Sequence, residues 1–450
     1  MSGQDEAQML KSEARCARST SLETRNPKQA QMTKTRSSKQ PRLTATAFLS
    51  FGFSCFEFVS HFEIRASSFA LGVILLLCLA PACRVERARD ARWAQVDRVV
   101  EEEIQAAHLP GAVVLVGRAD RILYWKAFGL AVAEPFQEPM RKDTIFDMAS
   151  LTKPLATAAA VMVLVDRGKL DPNDYVRDYL PAFACNGKEQ VRLKHLLTHT
   201  SGLPAYTDAK ELKDLYGSPC RDEVIERICG LAAQSEPGKE FRYSCPGYIT
   251  LAEIVRIVSG QDIDDFTRGN LFGRLGMADT RFNPPASWQG RIAATEIVDG
   301  ELLRGTVHDP LARLMAGTSG NAGLFSTASD LSLYCRMLLN SGSWQGQRIL
   351  SPAAVALLTT AQSHGRAYGF DVSSSYAWVK GPNASPNAFC HTGYTGTSLA
   401  CDPDTGTYLI LLTNSVHPRD KGTSKPLRQK LAEIVFPPRP ATIASDTHGD

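Results

Sequence analysis

The sequence predicts a mixed α/β (α+β) fold: one antiparallel sheet built from both ends of a large domain and flanked by helices, with a mostly helical subdomain between them. Two observations carry this. Short β-rich runs gather near residues 112–130 and again near 388–413, and the long stretch between them has helical periodicity. Composition agrees, since 44% of the 450 residues are hydrophobic and 22% charged, enough to bury a sizeable core.

In chain order, Trp93 to Ala107 has an apolar stripe and a charged face and is expected to be a helix. Ala112–Gly117 and Ile122–Leu130, joined by Arg118-Ala119-Asp120-Arg121, read as a hairpin. A long apolar helix is expected from Ser150 to Arg167, stopped by Gly168. Further helices are expected at Val191–Leu197, Arg221–Gln234, Gly247–Val258, Ile263–Leu275, Ser329–Asn340 and Pro352–Thr359. Strands return at Ala388–His391, Thr397–Cys401 and Thr407–Thr413, and a helix over Pro426–Val435 closes the domain. Ala205–Pro219 and Gly365–Asn387 are left as loops. The domain is bounded at residues 90–437, with 438–450 as a flexible tail.

Ser150-Leu151-Thr152-Lys153 is an S-x-x-K motif at the start of a helix. At i and i+3 the hydroxyl and the ammonium lie on one face. A serine needs a base to take its proton, and a lysine can be that base only if its pKa is lowered. The helix N-terminus adds a field that favours a developing oxyanion, and the Ser150 N–H can donate to it. Alone, the motif is more readily a capping serine with a surface lysine, since S-x-x-K occurs by chance in many chains.

Its context decides the matter. Phe146 to Lys153, Leu196-Leu197-Thr198-His199-Thr200-Ser201-Gly202-Leu203, Phe241-Arg242-Tyr243-Ser244-Cys245 and His391-Thr392-Gly393 follow one another in the order of four family motifs. Over Trp93 to Pro437 the chain resembles the serine β-lactamase and penicillin-binding protein superfamily, in its class C-like branch. The resemblance implies a β-lactamase/transpeptidase-like fold and a serine hydrolase that cleaves an ester or amide bond through a Ser150 acyl-enzyme, without a cofactor. It implies that Tyr243 shares proton transfer with Lys153, its phenol pKa lowered by that cation. It also places His391, Thr392 and Gly393 along the substrate, with the Tyr394 N–H as second oxyanion donor.

Two departures shift the expected substrate. Cys245 stands where the branch often has an amide or carboxylate, and is read either as packing or as a weak donor. His391 replaces a lysine, so a permanent cation for a substrate carboxylate is lost. Both favour an esterase or amide hydrolase over a β-lactamase. A D-alanyl-D-alanine carboxypeptidase, a class C-like β-lactamase and an envelope protein that binds such ligands with little turnover stay open as alternatives. His199 and Val307-His308-Asp309 invite a Ser-His-Asp reading as well, although His199 lies in a segment that reads as structural.

The net charge of +3, part of it in Lys28, Lys34, Arg36, Lys39 and Arg42, gives no basic stripe, so a nucleic-acid partner is not expected. No metal-ligand spacing or nucleotide fingerprint appears. The expected substrate is a small molecule or a peptidoglycan fragment. Residues 1–66 read as a disordered or mis-annotated extension, with the true start expected nearer Val59. Residues 67–83 (SSFALGVILLLCLAPAC) are too short an apolar run to cross a bilayer comfortably, and fit a signal segment. Leu79-Ala80-Pro81-Ala82-Cys83 resembles a lipobox, implying an exported protein held at the membrane by its signal or by lipid. Of the cysteines after Cys83, a Cys185–Cys220 pair is permitted and most read as small buried hydrophobes.

Overall fold

The computed structural model describes residues 91–420, 424–436 and 438. The expectations for the extension, the signal segment, Cys83 and the tail beyond residue 438 lie outside these residues.

A helix over residues 91–105 leads into strands β1 (Gly111–Arg118), β2 (Ile122–Val132) and β3 (Glu138–Pro139). Strands β4 (Phe389–Thr392), β5 (Ser398–Asp402) and β6 (Thr407–Thr413) come from the C-terminal end. They form one sheet in the order β4-β5-β6-β1-β2-β3, all neighbours antiparallel. The join of the two chain ends is β1 with β6, with Leu115 opposite Ile410. The apolar run of β1 does not alternate because both faces are covered. Val113 and Leu115 pack into the core under the helical block, while Ala112, Val114 and Val116 pack under the first and last helices.

The helical block includes Leu193–Leu197, Arg221–Gly230, Cys245–Ser259 and Ala328–Leu339, close to the expected bounds. Pro352–Thr359 and Thr407–Thr413 match them residue for residue. Two expectations are corrected. The Ala205–Pro219 loop holds a helix, Ala209–Tyr216, whose start is capped by the Asp208 carboxylate accepting from the Glu211 N–H at 2.9 Å. The long helix after Ser150 is broken: a 3₁₀ turn at Ala149–Leu151, a π turn at Lys153–Ala158, and regular helix only over Ala159–Asp166. Pro154 is one cause, since it has no N–H to give the preceding turn. Cys185 and Cys220 are not paired with one another; Cys220 is a free thiol, as are Cys245, Cys335, Cys390 and Cys401.

Candidate active site

A second, small sheet carries the chain into Ser150. Phe146–Asp147 pairs with Leu324–Ser326, which also pairs with Arg281–Phe282. The buried Asp147 carboxylate accepts from the Ala149 N–H at 2.8 Å and from the His308 N–H at 2.7 Å. Between Asp147 and Ser150, Ala149 has φ +45°, a left-handed conformation that a residue with a Cβ adopts only when its surroundings hold it. Ser150 follows at the start of the 3₁₀ turn, and the π turn begins at Lys153. Such turns often occur at functional sites.

Lys153 is fully buried and donates to Ser150 Oγ at 3.0 Å and to the Asn321 carbonyl at 2.9 Å. Tyr243 closes the triangle, its hydroxyl meeting both Ser150 and Lys153, with the ammonium 4.9 Å from its ring centre. The next residue, Ser244, caps the helix Cys245–Ser259, accepting from Gly247 N–H and donating to Pro204 O at 2.8 Å. That cap fixes where Tyr243 and Cys245 enter the site. The Cys245 thiol faces Lys153 and the Asn321 side chain, so it is a wall of the site.

The charges differ from the expectation. Burial pulls the Lys153 pKa down, but Cys245 and Tyr243 beside it outweigh burial and hold it above the ordinary lysine value. Lys153 is thus held as a cation when either partner is ionised, a condition that burial of the phenol and the thiol opposes. Burial pushes the Tyr243 phenol pKa up, and the opposing pull of Lys153 does not cancel it. His391 is buried, and burial together with the nearby Arg366 and Lys153 charges drives its pKa well below that of a free imidazole. Its Nδ1 bonds the Thr392 carbonyl at 2.8 Å, which requires the proton on Nδ1 and leaves Nε2 as an unpartnered acceptor.

His391 lies one residue before the end of β4, its ring 6.2 Å from that of Tyr243, and Thr392 ends the strand opposite Ser398. The loop that follows, Gly393 to Thr397, is stitched to the turn that carries Ser150. Thr395 Oγ1 donates to Asp147 O at 2.8 Å and Thr397 Oγ1 to Met148 O at 3.1 Å. Gly393 lies so close that a Cβ there would fall 2.4 Å from Met148 O. Among the described residues, neither the Ser150 nor the Tyr394 backbone N–H has a backbone acceptor. The Tyr394 side chain points elsewhere, its hydroxyl donating to Asp420 at 2.6 Å and its ring stacked on His308.

Of the two histidines weighed for a triad, His308 has its Nε2 on Glu296 at 2.7 Å, with no bond to Ser150. His199 is structural, but not remote. Its ring stacks on Tyr243 at 4.3 Å, and its Nδ1 accepts the Ser244 N–H at 3.0 Å. Several contributors left no sequence signal. Asn321 gives its carbonyl to Lys153, and its Oδ1 is held by Ser319 Oγ at 2.7 Å. Arg366 is fully buried and paired with Asp371 at 2.5 Å. Asp371 in turn exchanges two backbone bonds with Cys390, beside His391.

This fold and site define a serine hydrolase acting on ester or amide bonds. The chain belongs to the Beta-lactamase family, whose family model matches residues 96–433. It is 35% identical over 359 residues to an N-acetylmuramyl-L-alanine amidase of Bacillus subtilis (strain 168), covering 72% of this chain and 81% of that one. Among solved structures, EstCE1, a hydrolase with promiscuous acyltransferase activity, matches with TM-score 0.64 at 23% identity, over 78% of this chain and 100% of that one. A penicillin-binding protein homologue from Caulobacter crescentus matches with TM-score 0.62 at 22% identity, over 77% and 97%. These last two likenesses concern the fold.

Proposed function

We propose that Ser150 is the acylated nucleophile of a hydrolase for esters or amides whose acyl part carries no free carboxylate. The observation behind this is the 3.0 Å contact between Lys153 Nζ and Ser150 Oγ on a strained turn, with Tyr243 over both. Lys153 and Tyr243 titrate as a coupled pair. The competent form is the Lys153 ammonium beside the Tyr243 phenolate, favoured by that charge and opposed by burial. Ser150 Oγ attacks the carbonyl carbon while its proton passes to the Tyr243 oxygen. The Ser150 and Tyr394 N–H groups receive the oxyanion. Collapse breaks the bond to the leaving oxygen or nitrogen, which takes the proton from Tyr243, and water then hydrolyses the acyl-serine by the same route. Because the phenolate fraction grows with pH, acylation accelerates from neutral into mildly alkaline solution.

Turnover of a chromogenic short-chain ester beside a chromogenic cephalosporin, with mass spectrometry of the trapped enzyme, tests the reading. An ester-preferring enzyme with its adduct on Ser150 supports it; an adduct on Cys245 sinks it. A peptidoglycan-derived amide is the second substrate reading, supported by the name of the Bacillus subtilis relative. Export through residues 67–83, with Cys83 at the mature N-terminus and lipidated, belongs to the same proposal. Protein isolated from its native host is expected to begin at or near Cys83, and intact residues 1–60 in a cytosolic fraction would refute it.

The neutral His391 gives a specificity test. With Nε2 an acceptor, it repels a substrate carboxylate and suits a hydroxyl or N–H. Because burial holds its pKa far below neutral, activity on neutral esters should have no His391 inflection between pH 6 and 8. His391→Lys is expected to raise kcat/KM for carboxylate-bearing substrates relative to neutral esters by about 10-fold, the worth of one charge-assisted hydrogen bond. An unchanged ratio means that the position does not set charge preference.

A further inference from the structure

The last helix, Lys425–Val435, sends one cation into the domain behind the Gly393–Thr397 loop. Arg428 is 7% exposed, and among the described residues no carboxylate pairs with it. Its Nη2 donates to the Gly393 carbonyl and to the Thr397 carbonyl, both at 3.0 Å, and its Nε has no partner. Burying a guanidinium without a counter-ion is costly unless its surroundings use the charge. Burial lowers its pKa only to about 10, so it remains charged at neutral pH.

The two carbonyls it holds are the two ends of the loop. Gly393 N–H already donates to Thr397 O at 2.7 Å, closing the loop on itself. The Gly393 carbonyl also belongs to the same planar peptide unit as the Tyr394 N–H, on the opposite edge of that plane. A cation on the carbonyl oxygen therefore does two things to the N–H. It fixes the orientation of the plane, and by drawing electron density toward oxygen it makes the N–H a stronger donor. The same loop is tied to Asp147 and Met148 just before Ser150, so this N–H is held beside the nucleophile.

We infer that Arg428 is a positioning residue for the oxyanion hole, aiming and polarising the Gly393–Tyr394 peptide from behind so that its N–H meets the developing oxyanion. The inference rests on the reading of Ser150 and Tyr394 given above. It assigns Arg428 no contact with substrate. Its effect falls on transition-state stabilisation, where preorganised donors act.

The test compares wild-type, Arg428→Met and Arg428→Lys full-length enzymes on an ester and on the matching thionoester, whose sulfur is a poor hydrogen-bond acceptor. With Arg428→Met, kcat for the ester is expected to fall about 10-fold at nearly constant KM, a fraction of the loss when a whole oxyanion donor is removed. The thionoester rate should hardly change, so the ester-to-thionoester ratio falls by the same factor. Arg428→Lys, which keeps the charge, should recover part of the ratio. Equal losses on both substrates would mean a merely structural role, and no loss on either would overturn the inference. So would a rise in KM confined to carboxylate-bearing substrates, which would make Arg428 a substrate ligand. If Arg428→Met does not fold by circular dichroism, the ratio in Arg428→Lys and Arg428→Gln decides in its place. Ser150→Ala separates the two levels. If it is dead while the Arg428 ratio stays at the wild-type value, only this inference fails; if it still turns over, the acyl-enzyme reading itself fails.

Discussion

Ser150→Ala is expected to abolish turnover, by on the order of 10³-fold or more, and to abolish covalent labelling by a fluorophosphonate or a penicillin probe. The Ser150 hydroxyl is the proposed nucleophile, and its Oγ is the atom that Lys153 and Tyr243 both address. Lys153→Ala removes the cation that stabilises the Tyr243 phenolate and should slow acylation about as severely. Tyr243→Phe removes the proton acceptor. The same change removes one of the two groups that hold the Lys153 pKa up and leaves burial to lower it, so Lys153 can take the proton in its place and the loss should be somewhat smaller than that of Lys153→Ala. Either change added to Ser150→Ala should cost little more, since residues that act as a unit give non-additive losses. Rates of single turnover, set beside thermal unfolding of each variant, check the set. A Ser150→Ala enzyme with more than a few per cent of wild-type turnover would remove Ser150 from the mechanism.

Gly393→Ala is expected to cost on the order of 10²–10³-fold in kcat, comparable to loss of an oxyanion donor. A Cβ at this position would sit 2.1 Å from Thr397 Oγ1 and 2.4 Å from Met148 O. The threonine hydroxyl can rotate away, but the Met148 carbonyl is backbone and cannot. The loop must then lift from the Asp147–Ala149 turn, loosening the bonds from Thr395 and Thr397. Tyr394 N–H moves with it. Overpacking of this kind costs about 1–3 kcal/mol in stability, which a shift in the denaturant midpoint would report. The two readouts together are diagnostic: slow labelling of Ser150 in a protein that still folds. Wild-type labelling in Gly393→Ala would mean that the loop does not contribute to the oxyanion hole.

What the sequence determined by itself was considerable, for reasons that are local. Strand and helix periods depend on nearest neighbours, so the join of both termini into one sheet could be read from where the β runs lie. Ser150 and Lys153 were legible because three residues separate them. Tyr243 and the His391-Thr392-Gly393 segment were legible only through their resemblance to family motifs, whereas Pro352–Thr359 and Thr407–Thr413 came out from local pattern with the bounds seen in the structure. Tertiary structure decided what depends on burial and on groups remote in sequence. The direction of the Lys153 and Tyr243 shifts turned on desolvation and on Cys245, which spacing cannot weigh. The break in the helix after Ser150, the Asn321 carbonyl on Lys153, the stacking of His199 on Tyr243 and the neutrality of His391 likewise appear only once distant segments meet. Arg428 is the plainest case. In the sequence it is an ordinary arginine on an amphipathic helix, but the fold buries it against two carbonyls 35 and 31 residues away in the chain. A charge acquires its role from its surroundings, because desolvation and Coulomb energy depend on three-dimensional distance and not on position along the chain.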